Sequence, residues 1–198
     1  QTSTRPGHTG IDFEAGICAR ALTGLPPQIT SPFREARSEE AREMNASASR
    51  VRRMISAGWA FMRAGNSLSA LGEFRSALAA DPENVEALVG LCQSYLDAGE
   101  LKQAGQQSDE LLRLAPELAS AHRLKAEVHR RRRNRSEALE YARRAVQLEP
   151  EEPVGYHILA LIHYDRKDYR AALKMVEWGR AIAPGCAILA AQQALILL

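Results

Sequence analysis

Prolines recur every 34 residues along this chain, at Pro82, Pro116, Pro150 and Pro184. An alanine stands twelve residues before each, at Ala70, Ala104, Ala138 and Ala172. A fixed period of this length marks one supersecondary unit copied in tandem, each copy burying its apolar face on the next. The expected fold is therefore an all-α stack of helix pairs rather than a single closed globule. Such stacks present long surfaces, so binding is expected before catalysis.

Composition allows the stack and removes several functions. The chain has 198 residues, 45% of them apolar, enough for a sizeable core. Charged residues make up 25% and the net charge is only +2, without the basic excess expected of a nucleic-acid binder. No apolar run approaches the roughly 18 residues a membrane span needs. Cys18, Cys92 and Cys186 are scattered, with no CxxC spacing for zinc or redox work, and read as small apolar side chains.

Catalytic and metal sites are not expected either. His122 and His129 are seven apart and His157 and His163 six apart, neither of which sets two imidazoles on one metal. No Ser-His-Asp order, phosphate-cradling glycine loop or carboxylate pair stands out. We expect no enzyme, no cofactor and no metal. The chain begins at Gln1 rather than Met, so a removed leader and a cut chain are both open. The first would suit a periplasmic or lipid-anchored protein, the second a cytoplasmic one. An Arg- and Ala-rich, Lys-poor composition suits a GC-rich bacterial genome.

Residues 1–32 are dense in glycine and proline (Pro6, Gly7, Gly10, Gly16, Gly24, Pro26, Pro27) and read as an irregular arm. Ser31-Pro32 is a helix start, with a capping serine and a proline at the first helical position. Residues 33–50 read as a charged helix, with 45–49 either a break or a continuous join into the repeats. Four repeats fill 51–84, 85–118, 119–152 and 153–186, and 187–198 is an incomplete capping helix. Only Gln192 and Gln193 are polar in that last helix, whereas a solenoid cap should carry a polar face. Either the natural chain continues or this end packs on another copy.

Within each repeat the pattern is helix, break, helix. In the first, Met54, Ala57, Gly58 and Phe61 share a stripe, Gly65-Asn66 breaks it, and Ala70, Phe74 and Ala77 form the next stripe before Asp81-Pro82. The breaks in the later repeats fall at Gly99, near Asn134 and near Asp168. Small residues at the eighth place (Gly58, Cys92, Ala126, Ala160) let the paired helices approach closely. Rings at the eleventh place (Phe61, Tyr95, His129, His163) are expected to fill the gap to the next unit.

This pattern resembles the tetratricopeptide repeat family, whose Trp-x2-Leu-Gly-x2-Tyr…Ala-x3-Phe…Pro signature falls on Met54, Ala57, Gly58, Phe61, Ala70, Phe74 and Pro82 and on the matching sites of the other windows. Lys125 replaces the usual leucine, and Ser108 and Ala142 the usual phenylalanine, which makes the third repeat the weakest packed, with Leu124 and Tyr141 near enough to compensate. The resemblance implies a right-handed superhelix whose first helices line a concave groove.

It also implies the lining: Arg52, Ile55, Trp59, Met62 and Arg63 in the first repeat, and Glu86, Val89, Gln93, Leu96 and Asp97 in the second. Ser120, Arg123, Glu127, Arg130 and Arg131 line it in the third, and Val154, His157, Leu161, Tyr164 and Asp165 in the fourth. Large apolar members suit an anchor from a partner's peptide or amphipathic helix, unless the N-terminal arm or helix covers them. The Lys and Asn with which some family members grip a chaperone's terminal carboxylate are missing. Ile55 and Trp59, Gly90 and Leu124 stand at those places. The Arg130–Arg133 run, with Arg135, either offsets a helix macrodipole or meets an acidic partner or a phosphate. Arg130 and Arg131 are the pair expected to face the groove.

The expected function is a non-catalytic scaffold binding another protein, such as an assembly factor of a bacterial secretion or pilus machine. The recognition region of a larger enzyme, for example a transferase, and a cytoplasmic chaperone of a secreted protein are the alternatives. No nucleic-acid partner and no transmembrane segment are expected, and self-association through the C-terminal helix is open.

Overall fold

The computed structural model describes residues 32–197, with side chains from residue 40 onward. The arm expected over 1–32 lies outside the described residues except for Pro32, and so does Cys18. Among the described residues the elements are α1 (Pro32–Arg63), α2 (Ser67–Ala80), α3 (Val85–Asp97), α4 (Leu101–Leu114), α5 (Ala119–Arg131), α6 (Arg135–Leu148), α7 (Pro153–Asp165), α8 (Tyr169–Ile182) and α9 (Ala187–Leu197). The chain divides into two compact units, Gln1–Met44 and Asn45–Leu198. α1 runs through 45–49 without a break, the continuous join of the two readings. Its side chains from Glu40 to Arg50 are all exposed, and burial begins at Val51.

The 34-residue beat has a backbone cause. The residue before each proline (Asp81, Ala115, Glu149, Ala183) leaves the helix with φ between −142° and −129°. Proline forbids it the α region, because the ring would meet its amide and Cβ. Each of these residues still donates its N–H to the carbonyl four back, as in Asp81 to Ala77 at 2.9 Å, so all four second helices end at the same register. Two of the proline carbonyls are then capped from the following repeat: His122 Nε2 donates to Pro116 O at 2.7 Å and the Tyr156 hydroxyl to Pro150 O at 3.1 Å.

The other turn of each repeat has one geometry too. Gly65, Gly99, Arg133 and Lys167 all have positive φ, between 63° and 77°. Each donates its N–H to the carbonyl three back, and the following residue to the carbonyl five back, as in Gly65 to Met62 and Asn66 to Phe61. This is a Schellman closure, which requires one left-handed residue. In the third and fourth repeats that residue is Arg133 and Lys167, one place before the breaks expected at Asn134 and Asp168.

Packing in the first two repeats centres on Phe74, which is fully buried. A Cβ built on Gly58 would lie 2.7 Å from its ring and one on Gly90 2.3 Å. Trp59 meets the same ring edge-on at 5.3 Å. Further along, Cys92 Sγ donates to the Ala104 carbonyl at 3.3 Å, so the small residue of one helix touches the small residue of its partner. Burial pushes the Cys92 thiol up to about 12, which leaves it protonated and inert.

Substituted positions in the third repeat are filled by neighbours. Lys125 buries its stem and bonds Asp109 of α4 at 2.5 Å. Tyr141 stacks on His129 at 5.4 Å and 19°. The eleventh-place rings differ from expectation in what they touch. His129 packs within its own repeat, and the Tyr95 hydroxyl reaches back to accept from Arg75 of α2 at 2.7 Å.

First helices touch one another along the stack, α3 on α5, α5 on α7 and α7 on α9, whereas among the described residues α4, α6 and α8 touch only first helices. A row whose members are in contact lies on the inside of a curve, so α3, α5 and α7 form its concave face.

Candidate partner-binding groove

Three first helices set their side chains into one hollow of about 310 Å³ on the concave face. α3 supplies Gln93, α5 supplies Arg123, Glu127, Arg130 and Arg131, and α7 supplies Val154, His157 and Leu161. The helical repeat of 3.6 residues accounts for the set: Arg123, Glu127 and Arg130 fall on one face of α5, and Val154, His157 and Leu161 on one face of α7. Eight of the residues expected in the lining, Gln93, Arg123, Glu127, Arg130, Arg131, Val154, His157 and Leu161, are thus brought together.

An ion-pair network crosses the hollow. Glu127 accepts from Arg130 Nε and Nη2, both at 2.8 Å, and from Arg131 Nε at 2.6 Å. Arg130 continues to Asp165 of α7 at 2.8 Å, and Arg131 to the Leu96 carbonyl of α3 at 2.5 Å. Burial works to raise the Glu127 carboxyl, but the bonds and charges of Arg130 and Arg131 outweigh it and hold it below the usual carboxylate value. Arg130 is held above the usual guanidinium value, chiefly by its bond to Glu127. The network ties α3, α5 and α7 into one wall, and the two basic residues expected to face the groove are already engaged within it.

His157 is fixed by α9. Gln192, itself buried, donates Nε2 to the His157 carbonyl at 3.4 Å, which orients its amide so that Oε1 accepts from His157 Nδ1 at 2.7 Å. Burial lowers the His157 pKa, so the ring is neutral, with its proton on Nδ1 and a lone pair on Nε2.

The remaining expected residues lie elsewhere. Ile55 and Leu96 are 4% and 0% exposed and belong to the hydrophobic core. They therefore correct the expectation that the large apolar members of the lining are open to a partner's anchor. Their faces are covered because neighbouring first helices pack directly together. Val89 is half-buried against the same core. Trp59 donates Nε1 to Glu86 at 3.2 Å, and Met62 Sδ accepts from Ser94 Oγ at 3.1 Å, so both bridge α1 to α3. Arg52 and Arg63 are exposed. Tyr164 is half-buried, edge-on to Tyr169 at 5.4 Å.

Two further features escaped the sequence reading. A second hollow of about 280 Å³ adjoins Arg123 and is lined by Ala119, Ser120, Ala145, Glu149, Glu152 and Gly155. On the outer side, Tyr156, Leu159, His163, Met175 and the half-exposed Trp178 border a hollow of about 370 Å³ between α6, α7 and α8. The adjoining hollow has no sequence signal, because it forms only where α5, α6 and α7 meet. Trp178 was visible as an aromatic off the packing stripe of α8.

Among the described residues no helix is long and apolar enough to cross a membrane. Residues 61–128 match a family model described as tetratricopeptide repeat. The comparison with curated proteins gives no match. Among solved structures, the chain is similar to the pilF protein of Pseudomonas aeruginosa at TM-score 0.66 and 21% identity, covering 77% of this chain and 69% of that one. It is similar to MamA from Desulfovibrio magneticus RS-1 at TM-score 0.58 and 16% identity, covering 74% and 83%. An O-GlcNAc transferase mutant of Thermobaculum terrenum gives TM-score 0.62 and 22% identity, covering 68% of this chain and 26% of that one. At these identities the likeness is one of fold.

Proposed function

We propose that this chain, a tetratricopeptide repeat protein, is a non-catalytic scaffold that holds a peptide or amphipathic helix of a partner protein in the hollow between α3, α5 and α7. Proteins of this repeat family generally bind other proteins. The observation that carries the reading is the convergence of Gln93, Arg123, His157 and Leu161 from three helices on one open concavity. The apolar side is supplied by Val154 and Leu161, and the polar side by the arginine network. Such a mixed lining suits an anchor residue flanked by hydrogen-bonded contacts.

The more specific reading is an assembly factor of a bacterial secretion or pilus machine. A Gly- and Pro-rich stretch ahead of the repeats supports it, and that support is one of analogy. The second reading is the recognition region of a larger enzyme, favoured by a fold likeness confined to about a quarter of a transferase. Gene length separates them: several hundred codons beyond Leu198 would favour the enzyme. Self-association through α9 is a further proposal, supported by the exposed Ile188, Leu195 and Leu197. Light scattering tests it, and a monomer at high concentration would overturn it.

Affinity capture with wild type against Val154→Ala plus Leu161→Ala tests the groove. Partners retained by the wild type should be lost from the double variant while its thermal melt stays cooperative. A full set of partners on the folded double variant would contradict the groove reading.

A further inference from the structure

One guanidinium of the concave hollow differs from the other two in its bonding. Three guanidiniums, those of Arg123, Arg130 and Arg131, face it. Glu127 and Asp165 engage Arg130, and Glu127 and the Leu96 carbonyl engage Arg131. The carboxylates bonded within the hollow are thus taken by Arg130 and Arg131, and Arg123 is left without one. It is half-buried, and among the described residues it has no hydrogen-bond or ion-pair partner. Glu149 and Glu152, across the adjoining hollow, make no ion pair with it. Burial pulls its pKa below the ordinary guanidinium value, with Glu152 and Glu149 only partly opposing the shift.

A guanidinium that loses water without gaining an internal partner is an unfavourable feature of the free fold. An incoming carboxylate would remove it, because the planar fork of arginine donates two parallel N–H bonds to the two oxygens of one carboxylate. Glu149 and Glu152 line the adjoining hollow beside Arg123, and Glu127 lines its own. A singly charged carboxylate meets less repulsion from these three carboxylates than a dianionic phosphate would. Beside Arg123, Val154 and Leu161 offer an apolar seat, and neutral His157 presents a lone pair on Nε2 to a donor.

We infer that the hollow takes a partner segment carrying a Glu or Asp side chain that docks on Arg123, with an apolar residue next to it against Val154 and Leu161. This rests on the groove being the partner site.

The test is selection of phage-displayed random peptides on the full chain, followed by affinity measurement of the selected peptides. Selected sequences should be enriched in an acidic residue adjacent to an apolar one. Changing that acid to its amide in the peptide, with the protein untouched, should weaken binding about ten- to a hundredfold, the loss expected for a hydrogen-bonded charge. Arg123→Gln should cause the same loss, and Arg123→Glu should restore binding to a peptide whose acid is changed to lysine. Peptides that lack acidic enrichment and ignore Arg123→Gln, yet are lost on Val154→Ala plus Leu161→Ala, would overturn this inference and leave the groove reading standing. Peptides insensitive to both sets of changes, or no selected peptides at all, would overturn both.

Discussion

Arg133 and Lys167 occupy a backbone position that Gly65 and Gly99 occupy in the other two repeats. The glycines made the first two turns legible. The later two were not, because a left-handed Arg or Lys carries no signature, and the expected breaks fell one residue late. Non-glycine residues pay for this conformation through a Cβ–carbonyl clash. Arg133→Gly and Lys167→Gly should therefore each raise stability by about 0.5–1 kcal/mol in chemical denaturation, the steric relief exceeding the added freedom of the unfolded chain. A neutral or negative effect at both would show that the turn geometry is wrong. Gly90→Ala should act in the other direction. Its Cβ would lie 2.3 Å from the Phe74 ring, and overpacking of this kind costs about 1–3 kcal/mol. Glu127→Gln should lower stability too, since two arginines lose their shared carboxylate. An unchanged denaturation midpoint there would mean the network is not formed in solution.

At the scale of elements, the helices were legible because their ends are set by local chemistry, proline at one end and a left-handed turn at the other. Side-chain burial was less so. Ile55 and Leu96 sit at groove places but are buried, since first helices contact one another directly. That Arg130 and Arg131 are already engaged was not legible, because sequence does not show that Glu127 and Asp165 lie within bonding distance of them. α1 makes its own prediction. Its residues 40–50 are exposed on every side, and burial starts at Val51. An unsupported helix segment opens readily. In hydrogen exchange, amides of 40–50 should exchange well before those of 51–63, and uniform protection along α1 would contradict this.

For the stack as a whole, three histidines give a pH dependence. His129, His157 and His163 each have a lowered pKa, in every case mainly from burial. The folded state therefore binds fewer protons than the unfolded chain below the ordinary histidine value of 6.5. Their contribution is complete above that value and is lost as pH falls through the depressed folded values. Glu127, also lowered, extends the loss into the acid range. The melting temperature should fall from neutral pH toward pH about 5, and a flat profile would mean that these rings are solvated.

The concave arrangement is the premise on which partner binding rests, and a photocrosslinking amino acid reports on it most directly. It would be placed at Gln93 on the concave face and, separately, at Gln147 beside the outer hollow. A partner, or a selected peptide, should form a covalent adduct from position 93 and not from position 147. Adducts from 147 alone, or equally from both, would contradict a partner seated between α3, α5 and α7.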